Sequence, residues 1–328
     1  SFSPDGTKLA FISDRSGDKQ IWVMDIISGG EARQLTSMRN GAANPVWSPD
    51  GTRISFVSRF AKGDNVDDIL KTRTAQEKDA EDKKRREEPK VIDLIKYKSD
   101  EAMGLLDGKR NHIWVVDVDG GTPACLTSGD FDYNAPAWSP DGTQLVFASN
   151  CDGDPEFKPN QSDIYTVPSC GGTIKRITNT EGPSGNPVWS PDGKTIAYLG
   201  HSGEFYSATN TRVWLVCAEG GEPVNLTANF DQGVGDTTGS DSRYGGGGEL
   251  LAFTKDGKNI IFLASCTGNT HVFTVNIDTK LVEQVTKGLR HIQAMSYNPC
   301  SGDLAYSSAE HMHPADLYIL GSCGCEDR

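Results

Sequence analysis

Short runs in which apolar and polar positions alternate, such as Lys8–Ser13 and Gln20–Asp25, recur along the whole chain between clusters of Gly, Pro, Ser and Asp. Alternation with period 2 over four to eight residues predicts half-buried β-strands, and the β-branched and aromatic content of the runs agrees. The strands are marked by a repeated set of aromatic residues. One precedes a Ser-Pro-Asp-Gly-like turn at Phe2, Trp47, Trp138, Trp189, Phe253 and Tyr297. A second comes nine residues later in all six copies, at Phe11, Phe56, Phe147, Tyr198, Phe262 and Tyr306. A third closes an aliphatic–aromatic pair at Trp22, Trp114, Tyr165, Trp214, Phe273 and Tyr318. Twelve or thirteen residues on comes an aliphatic–Thr pair: Leu35-Thr36, Leu126-Thr127, Ile177-Thr178, Leu226-Thr227 and Val285-Thr286.

The turn has a physical reason, since Pro presets φ at its second position and Gly at the fourth tolerates the backbone leaving the turn. A second hairpin is marked by Gly29-Gly30, Gly120-Gly121, Gly171-Gly172 and Gly220-Gly221, where glycine takes positive φ at little cost. Four short strands with a period near 45 residues describe a propeller blade. The predicted fold class is therefore all-β, a β-propeller of four-stranded antiparallel blades, six of them recognisable. One blade cannot cover both of its faces, so the blades are expected to stack. Residues 1–328 read as one such domain, with a stub for the first strand of the first repeat. The fourth-strand marker of the sixth falls near position 330, so the domain reads as cut within a blade at both ends, and six or seven blades at closure stay open.

Insertions break the period at chosen places. The second and third aromatics are 11 residues apart in repeats one and five but 58, 18 and 16 apart in repeats two, three and four. The link from Leu226 to the next repeat is also lengthened, to 27 residues from 12. These are the connections from strand two to strand three and from strand four to the next blade, which leave the same end of an up-and-down blade. Loops carry function on a scaffold, so that end is the expected interaction face. The largest insertion, 60–111, is charged from Gly63 to Lys90 and reads as a solvated helix or mobile loop. Its later part, Val91 to Lys98, carries enough apolar residues to dock on the scaffold. The second, Asn229 to Glu249, ends in Gly245–Gly248 and reads as flexible.

Composition narrows the function classes. A net charge of −13 argues against nucleic acid and anionic membranes as partners, and no apolar run is long enough to span a bilayer. The eight cysteines are scattered through the repeats, which suits free thiols in a cytoplasmic protein, with disulfides in an oxidising compartment as the alternative.

No constellation of catalytic, cofactor-binding or metal-ligating residues stands out. Gly200-His201-Ser202-Gly203-Glu204 and Gly182-Pro183-Ser184-Gly185-Asn186 approach the G-x-S-x-G of a serine nucleophile, but neither ends in Gly or leads into a helical pattern. His311 and His313 have a spacing that can bind metal, without a third ligand that the sequence can place. Asp152, Asp154, Glu156 and Asp163 loosely resemble a calcium loop, with Phe157 where such a loop needs Gly. Cys323 and Cys325 have no partner pair nearby. The aromatic triplets hold strict repeat positions, so they read as blade packing and not as a sugar- or base-binding platform.

Several segments resemble a known family. They are the Trp-Ser-Pro-Asp-Gly repeat, the stretches Ile95–Asp100 and Leu106–Asp117, the run Asp130–Gly142, and Val234-Gly235-Asp236 through Asp241–Tyr244. Together they look like the N-terminal propeller of prolyl oligopeptidase family serine peptidases, in the acylaminoacyl-peptidase or dipeptidyl-peptidase-like branch. The resemblance spans essentially the whole chain, although the repeat alone is shared with TolB-like propellers. It implies a non-catalytic domain, commonly seven-bladed, that gates and positions peptide substrates for a C-terminal α/β-hydrolase domain bearing a Ser-Asp-His triad. These residues contain no counterpart of that domain, so no triad residue carries over. The resemblance implies that hydrolase domain and peptide substrates as partners, and no cofactor; oligomerisation is left open. The alternative is a TolB-like module for protein–protein interaction.

Overall fold

A computed structural model describes residues 1–89, 91–92, 95–98, 105–205, 208–238, 249–310 and 312–328. The chain divides into two compact units, Ser1–Gln161 with Tyr165–Lys175, and Ser162–Ile164 with Arg176–Arg328.

In the first unit, β1 (Lys8–Ser13), β2 (Gln20–Asp25) and β3 (Arg33–Gln34) form an antiparallel sheet in that order. Phe2 bridges to Leu9 where a first strand would run. β4 (Ala43–Trp47) and β5 (Arg53–Ala61) lead into the insertion, with helices α1 (Val66–Ile69) and α2 (Ala75–Glu87). The second sheet is completed by β6 (Lys109–Asp117) and β7 (Ala124–Cys125). The third is built from β8 (Tyr133–Trp138), β9 (Gln144–Ser149), β10 (Asp163–Pro168) and β11 (Lys175–Arg176).

The second unit holds a fourth sheet, β12 (Ser184–Trp189), β13 (Thr195–Gly200), β14 (Arg212–Cys217) and β15 (Val224–Asn225). β16 (Leu251–Phe253), β17 (Asn259–Cys266), β18 (Asn269–Asn276) and β19 (Val282–Gln284) come next. Last are β20 (His291–Tyr297), β21 (Leu304–Glu310), β22 (His313–Leu320) and β23 (Glu326–Asp327). A single parallel bridge, Thr270 to His291, links these last two sets into one eight-stranded sheet. The fourth strand of the sixth repeat is thus present, paired through Ile319–Asp327 and Leu320–Glu326, a few residues ahead of the predicted position. This repeat lacks the aliphatic–Thr pair, so its last strand carries no marker in the sequence.

The repeat markers hold equivalent places. Second and third aromatics lie directly opposite one another, as at Phe11–Trp22, Phe56–Trp114, Tyr198–Trp214, Phe262–Phe273 and Tyr306–Tyr318. Their rings stack with centroids 6.4 Å apart at Phe56–Trp114, 6.0 Å at Phe147–Tyr165 and 5.5 Å at Tyr306–Tyr318. The threonines of the fourth-strand pairs have a purpose the sequence did not disclose. Each accepts the N–H of the strand-three residue just before the third aromatic: Ile21 to Thr36, Ile113 to Thr127, Ile164 to Thr178, Val213 to Thr227 and Val272 to Thr286, at 2.9–3.1 Å. A buried donor at the end of a short ladder would otherwise go unpaired.

The Ser-Pro-Asp-Gly turn is locked the same way each time. Ser3 Oγ donates to Asp5 and accepts from Lys8 N, while Asp5 accepts from Thr7 N. The set recurs at Ser48–Asp50, Ser139–Asp141, Ser190–Asp192 and Thr254–Asp256. The bonds from Ser3 and Ser48, and after them those from Thr7 and Thr52, pull the Asp5 and Asp50 carboxyls down to about 2.

Core packing repeats with the same period. In the first unit Ala10, Ile21 and Val23 pack with Trp47, Ile54 and Phe56 of the following sheet. Ile113 and Val115 of the second sheet do the same with Trp138, Leu145 and Phe147. In the second unit Val213 packs with Phe253, Ile260 and Phe262, and Val272 with Ile292, Met295 and Tyr306. The aliphatic residue before the third aromatic therefore faces the next sheet. It is wholly buried at Ile21, Ile113, Ile164, Val213 and Val272, but Leu317 of the sixth repeat is 76% exposed.

Candidate functional site

Within each unit the insertions gather where strand two turns to strand three and where strand four leaves for the next sheet. In the first unit, α2 is opened by a capping box: Thr74 accepts from Glu77 N, and the Glu77 carboxylate accepts from Thr74 N. Its sequence offers no apolar face, so charge holds it. Arg73, with 13% of its side chain exposed, pairs with Glu81 at 2.9 Å and Asp18 at 3.6 Å and donates to the Arg39 carbonyl at 2.7 Å. Lys78 reaches Asp18 at 2.5 Å, and Arg39 pairs with Glu81. α1 contributes the one deep apolar anchor, Ile69, which joins the core of the first two sheets.

Of the two expectations for the charged part, the solvated helix is the one found: most of α2 is exposed, and its ion pairs tie it to the scaffold. The apolar stretch is the reverse of its expectation. Val91, Ile92, Ile95 and Tyr97 are all exposed, Val91 to 86%. These four apolar side chains stay exposed, whereas the charged helix meets complementary charge.

Beside α1 and α2 lies an open cavity of about 280 Å³, lined by Arg39, Arg73 and Lys109 and by Asp64, Asp68 and Glu81, among others. Next to Lys109, Arg110 pairs with Asp130 at 2.9 Å and Asp132 at 3.4 Å, and Asp132 also accepts from Asn111 N at 2.8 Å. Beneath them His112 stacks on Phe60 with centroids 3.8 Å apart. Burial pushes its imidazole down to about 4. It is neutral near pH 7, with Nδ1 3.2 Å from the Thr127 hydroxyl. A lining with three cations and three carboxylates suits a polar, zwitterionic ligand such as a peptide.

In the second unit the insertion after Leu226 begins as an ordered strap, which corrects the expectation of flexibility for residues 229–238. Phe230 packs on Phe262 and Phe273, Val234 bridges to Ala264, and Gly235 donates to the Leu263 carbonyl at 2.7 Å. Arg212 holds the carbonyls of Phe230 and Gln232. Asp236 ends the strap with Oδ2 2.6 Å from His291 Nε2, while Oδ1 accepts from Thr270 at 2.9 Å and Thr238 at 2.7 Å. Burial raises the Asp236 pKa, but the bonds from His291, Thr238 and Thr270 outweigh it and hold the carboxyl below its usual range. Gly245–Gly248 and Asp241–Tyr244 lie outside the described residues.

The sequence-level candidates do not come together as catalytic groups. Ser184 is buried on β12, its Oγ 3.0 Å from Thr180 Oγ1 and its N–H on Ser162 Oγ. Ser202 sits in an exposed loop. The first glycine of each motif serves close packing instead. A Cβ on Gly182 would lie 1.8 Å from the His201 carbonyl oxygen, and one on Gly200 2.5 Å from that of Pro183. His311 lies outside the described residues, and His313 is exposed on β22 opposite Glu310. Asp152 pairs with Lys158 at 3.0 Å, Glu156 accepts from Ile95 N at 3.2 Å, and buried Asp163 is bound by Arg176, Thr178 and Thr180. Among the described residues no group of three His, Cys, Asp or Glu could hold a metal ion. No helix among them is long and apolar enough to cross a membrane.

Comparison with known proteins agrees with this architecture. Residues 99–231 match the TolB beta propeller domain. The uncharacterized peptidase YuxL of Bacillus subtilis is 34% identical over 97% of this chain and 47% of its own. An acylaminoacyl peptidase of Pyrococcus horikoshii superposes with a TM-score of 0.69 over 99% of this chain and 43% of its own, at 19% identity. The β-propeller domain of the trilobed protease from Pyrococcus furiosus does so with a TM-score of 0.63, over 100% of this chain and 81% of that one, at 15% identity. At such identities the structural likeness is one of fold. The chain is a β-propeller. It is related to the propeller domains of peptidases and to TolB, and spans less than half the length of the curated relatives it matches first.

Proposed function

We propose that the 328 residues form one propeller domain, with its insertion at 60–111, that gates and positions peptide substrates without catalysing their hydrolysis. The hydrolysis belongs to a C-terminal α/β-hydrolase domain of the same polypeptide, of acylaminoacyl-peptidase type. One observation carries this reading. A peptidase matches 97% of this chain within less than half of its own length, while the first unit's docked insertion leaves between strands two and three and the second unit's after strand four. The mixed-charge cavity beside α2 supports peptides as the ligand class. Eight unpaired thiols fit a reducing compartment such as the cytoplasm.

The TolB match over residues 99–231 favours a second reading, a propeller that binds a partner protein and serves no enzyme. A serine-directed fluorophosphonate probe separates the two. The chain alone should stay unlabelled, and the polypeptide extended through the downstream coding sequence should label stoichiometrically. Stoichiometric labelling of the chain alone overturns the proposal. An extended polypeptide that stays unlabelled favours the TolB-like reading.

A further inference from the structure

The turn between β22 and β23 carries Cys323 and Cys325, both exposed and unpaired. Residues two apart in an extended strand share a face but stand well apart; here the backbone turns between them. Gly324, at φ +82°, adopts the left-handed conformation that glycine takes without strain. Gly324 N and the Cys325 carbonyl both bond to Gly321, closing the loop at 2.8 Å each. Cys325 N consequently donates to Cys323 Sγ at 3.4 Å, which sets the second thiol beside the first. An amide donated to sulfur favours its thiolate, the nucleophile of disulfide exchange.

We infer that Cys323 and Cys325 form a redox-active dithiol that takes low-molecular-weight disulfides as its oxidants. The Cys323 thiolate attacks one sulfur of glutathione disulfide and expels one glutathione thiolate. The Cys325 thiolate then attacks Cys323 Sγ in the mixed disulfide and expels the second. Two protein thiols lose two electrons and two protons, and one disulfide becomes two thiols. The product lies next to Glu326, whose carboxylate binds Arg290 and the Tyr306 hydroxyl, so oxidation acts on the strand that closes the sixth repeat.

The test equilibrates the full chain in glutathione buffers of graded ratio, alkylates the remaining thiols, and maps peptides by mass. The expected result is a Cys323–Cys325 disulfide in a buffer that leaves the other six cysteines alkylated. C325S should instead trap glutathione on Cys323. Gly324→Ala, whose Cβ meets nothing within 4 Å, should lower the oxidation constant roughly tenfold, since the open loop can leave the left-handed turn and the disulfide-closed loop cannot. Full alkylation of both thiols across the series, or independent mixed disulfides on each in the wild type, overturns the inference.

Discussion

The indole N–H of Trp138 donates to the carbonyl oxygen of Val46 at 3.1 Å, and that of Trp47 donates to Ser1 at 3.0 Å. In each case the acceptor is the residue just before the equivalent aromatic of the preceding repeat, so two successive junctions between sheets are made identically. Trp138→Phe should cost about 1–2 kcal/mol, the worth of a buried hydrogen bond. Trp138→Ala should cost about 3–5 kcal/mol, because it also opens a cavity. Urea denaturation of the chain measures both; a Trp138→Phe variant as stable as the parent would show that the hydrogen bond contributes nothing.

Thr127 Oγ1 accepts from the buried Ile113 N at 3.1 Å, the donor just before Trp114 in strand three of its sheet. Thr127→Val keeps the shape and removes the acceptor, and should destabilise by about 1–3 kcal/mol. Thr127→Ser should lose well under half of that. The same pair of substitutions at Thr286 should behave alike, since Val272 N is held at 3.0 Å. Urea midpoints check both pairs, and a Val variant as stable as its Ser counterpart would contradict the account.

Ala135 has φ +51°, where Asn44 and Asn186 occupy the matching positions at +54° and +50°. All three precede a proline at a strand-one bulge. Alanine is strained in this region and asparagine far less so. Ala135→Asn should therefore stabilise the exposed site by about 0.5–1 kcal/mol, read as a higher urea midpoint with an unchanged slope. A lower midpoint would contradict the strain argument.

Acid should weaken the fold in two windows. His112 has a folded pKa near 4, below the ordinary value of about 6.5. Its neutral form belongs to the folded state, so its contribution is complete above about pH 6.5 and falls as pH drops toward 4. Asp5 and Asp50, held near 2, add a loss that begins below about 4 and runs down to about 2. Thermal melting from pH 7 to 3 should show both declines, and His112→Gln should flatten the upper one alone.

The strand count and the aromatic framework were legible because Trp47, Trp138 and Trp189 sit at fixed offsets from their partners, and a strand period leaves such offsets no freedom. Features set by contacts between distant residues could not be read. Val91 and Ile95 look dockable as a string, yet exposure depends on whether a complementary surface stands nearby, and both side chains are exposed. α2 is the solvated helix its string suggests, but Asp18 and Arg39, which hold it, lie far back in the chain. Phe230 and Val234 are isolated apolar residues among Gly and Asp, too sparse for any periodicity. Glu326 and Asp327 form a strand without an apolar residue, which only their pairing with Leu320 and Ile319 reveals. The two glycine–serine motifs misled for a related reason, since Gly182 and Gly200 answer to each other's loops and not to a nucleophile.

Substrate gating by the docked insertion is tested most directly in the full-length polypeptide. The measurement compares kcat/KM for a short acyl-peptide and for a long unfolded polypeptide, with and without residues 63–89. Removing the docked helix should raise hydrolysis of the long substrate several-fold relative to the short one. An unchanged ratio, with the hydrolase domain active and the propeller folded, would contradict gating.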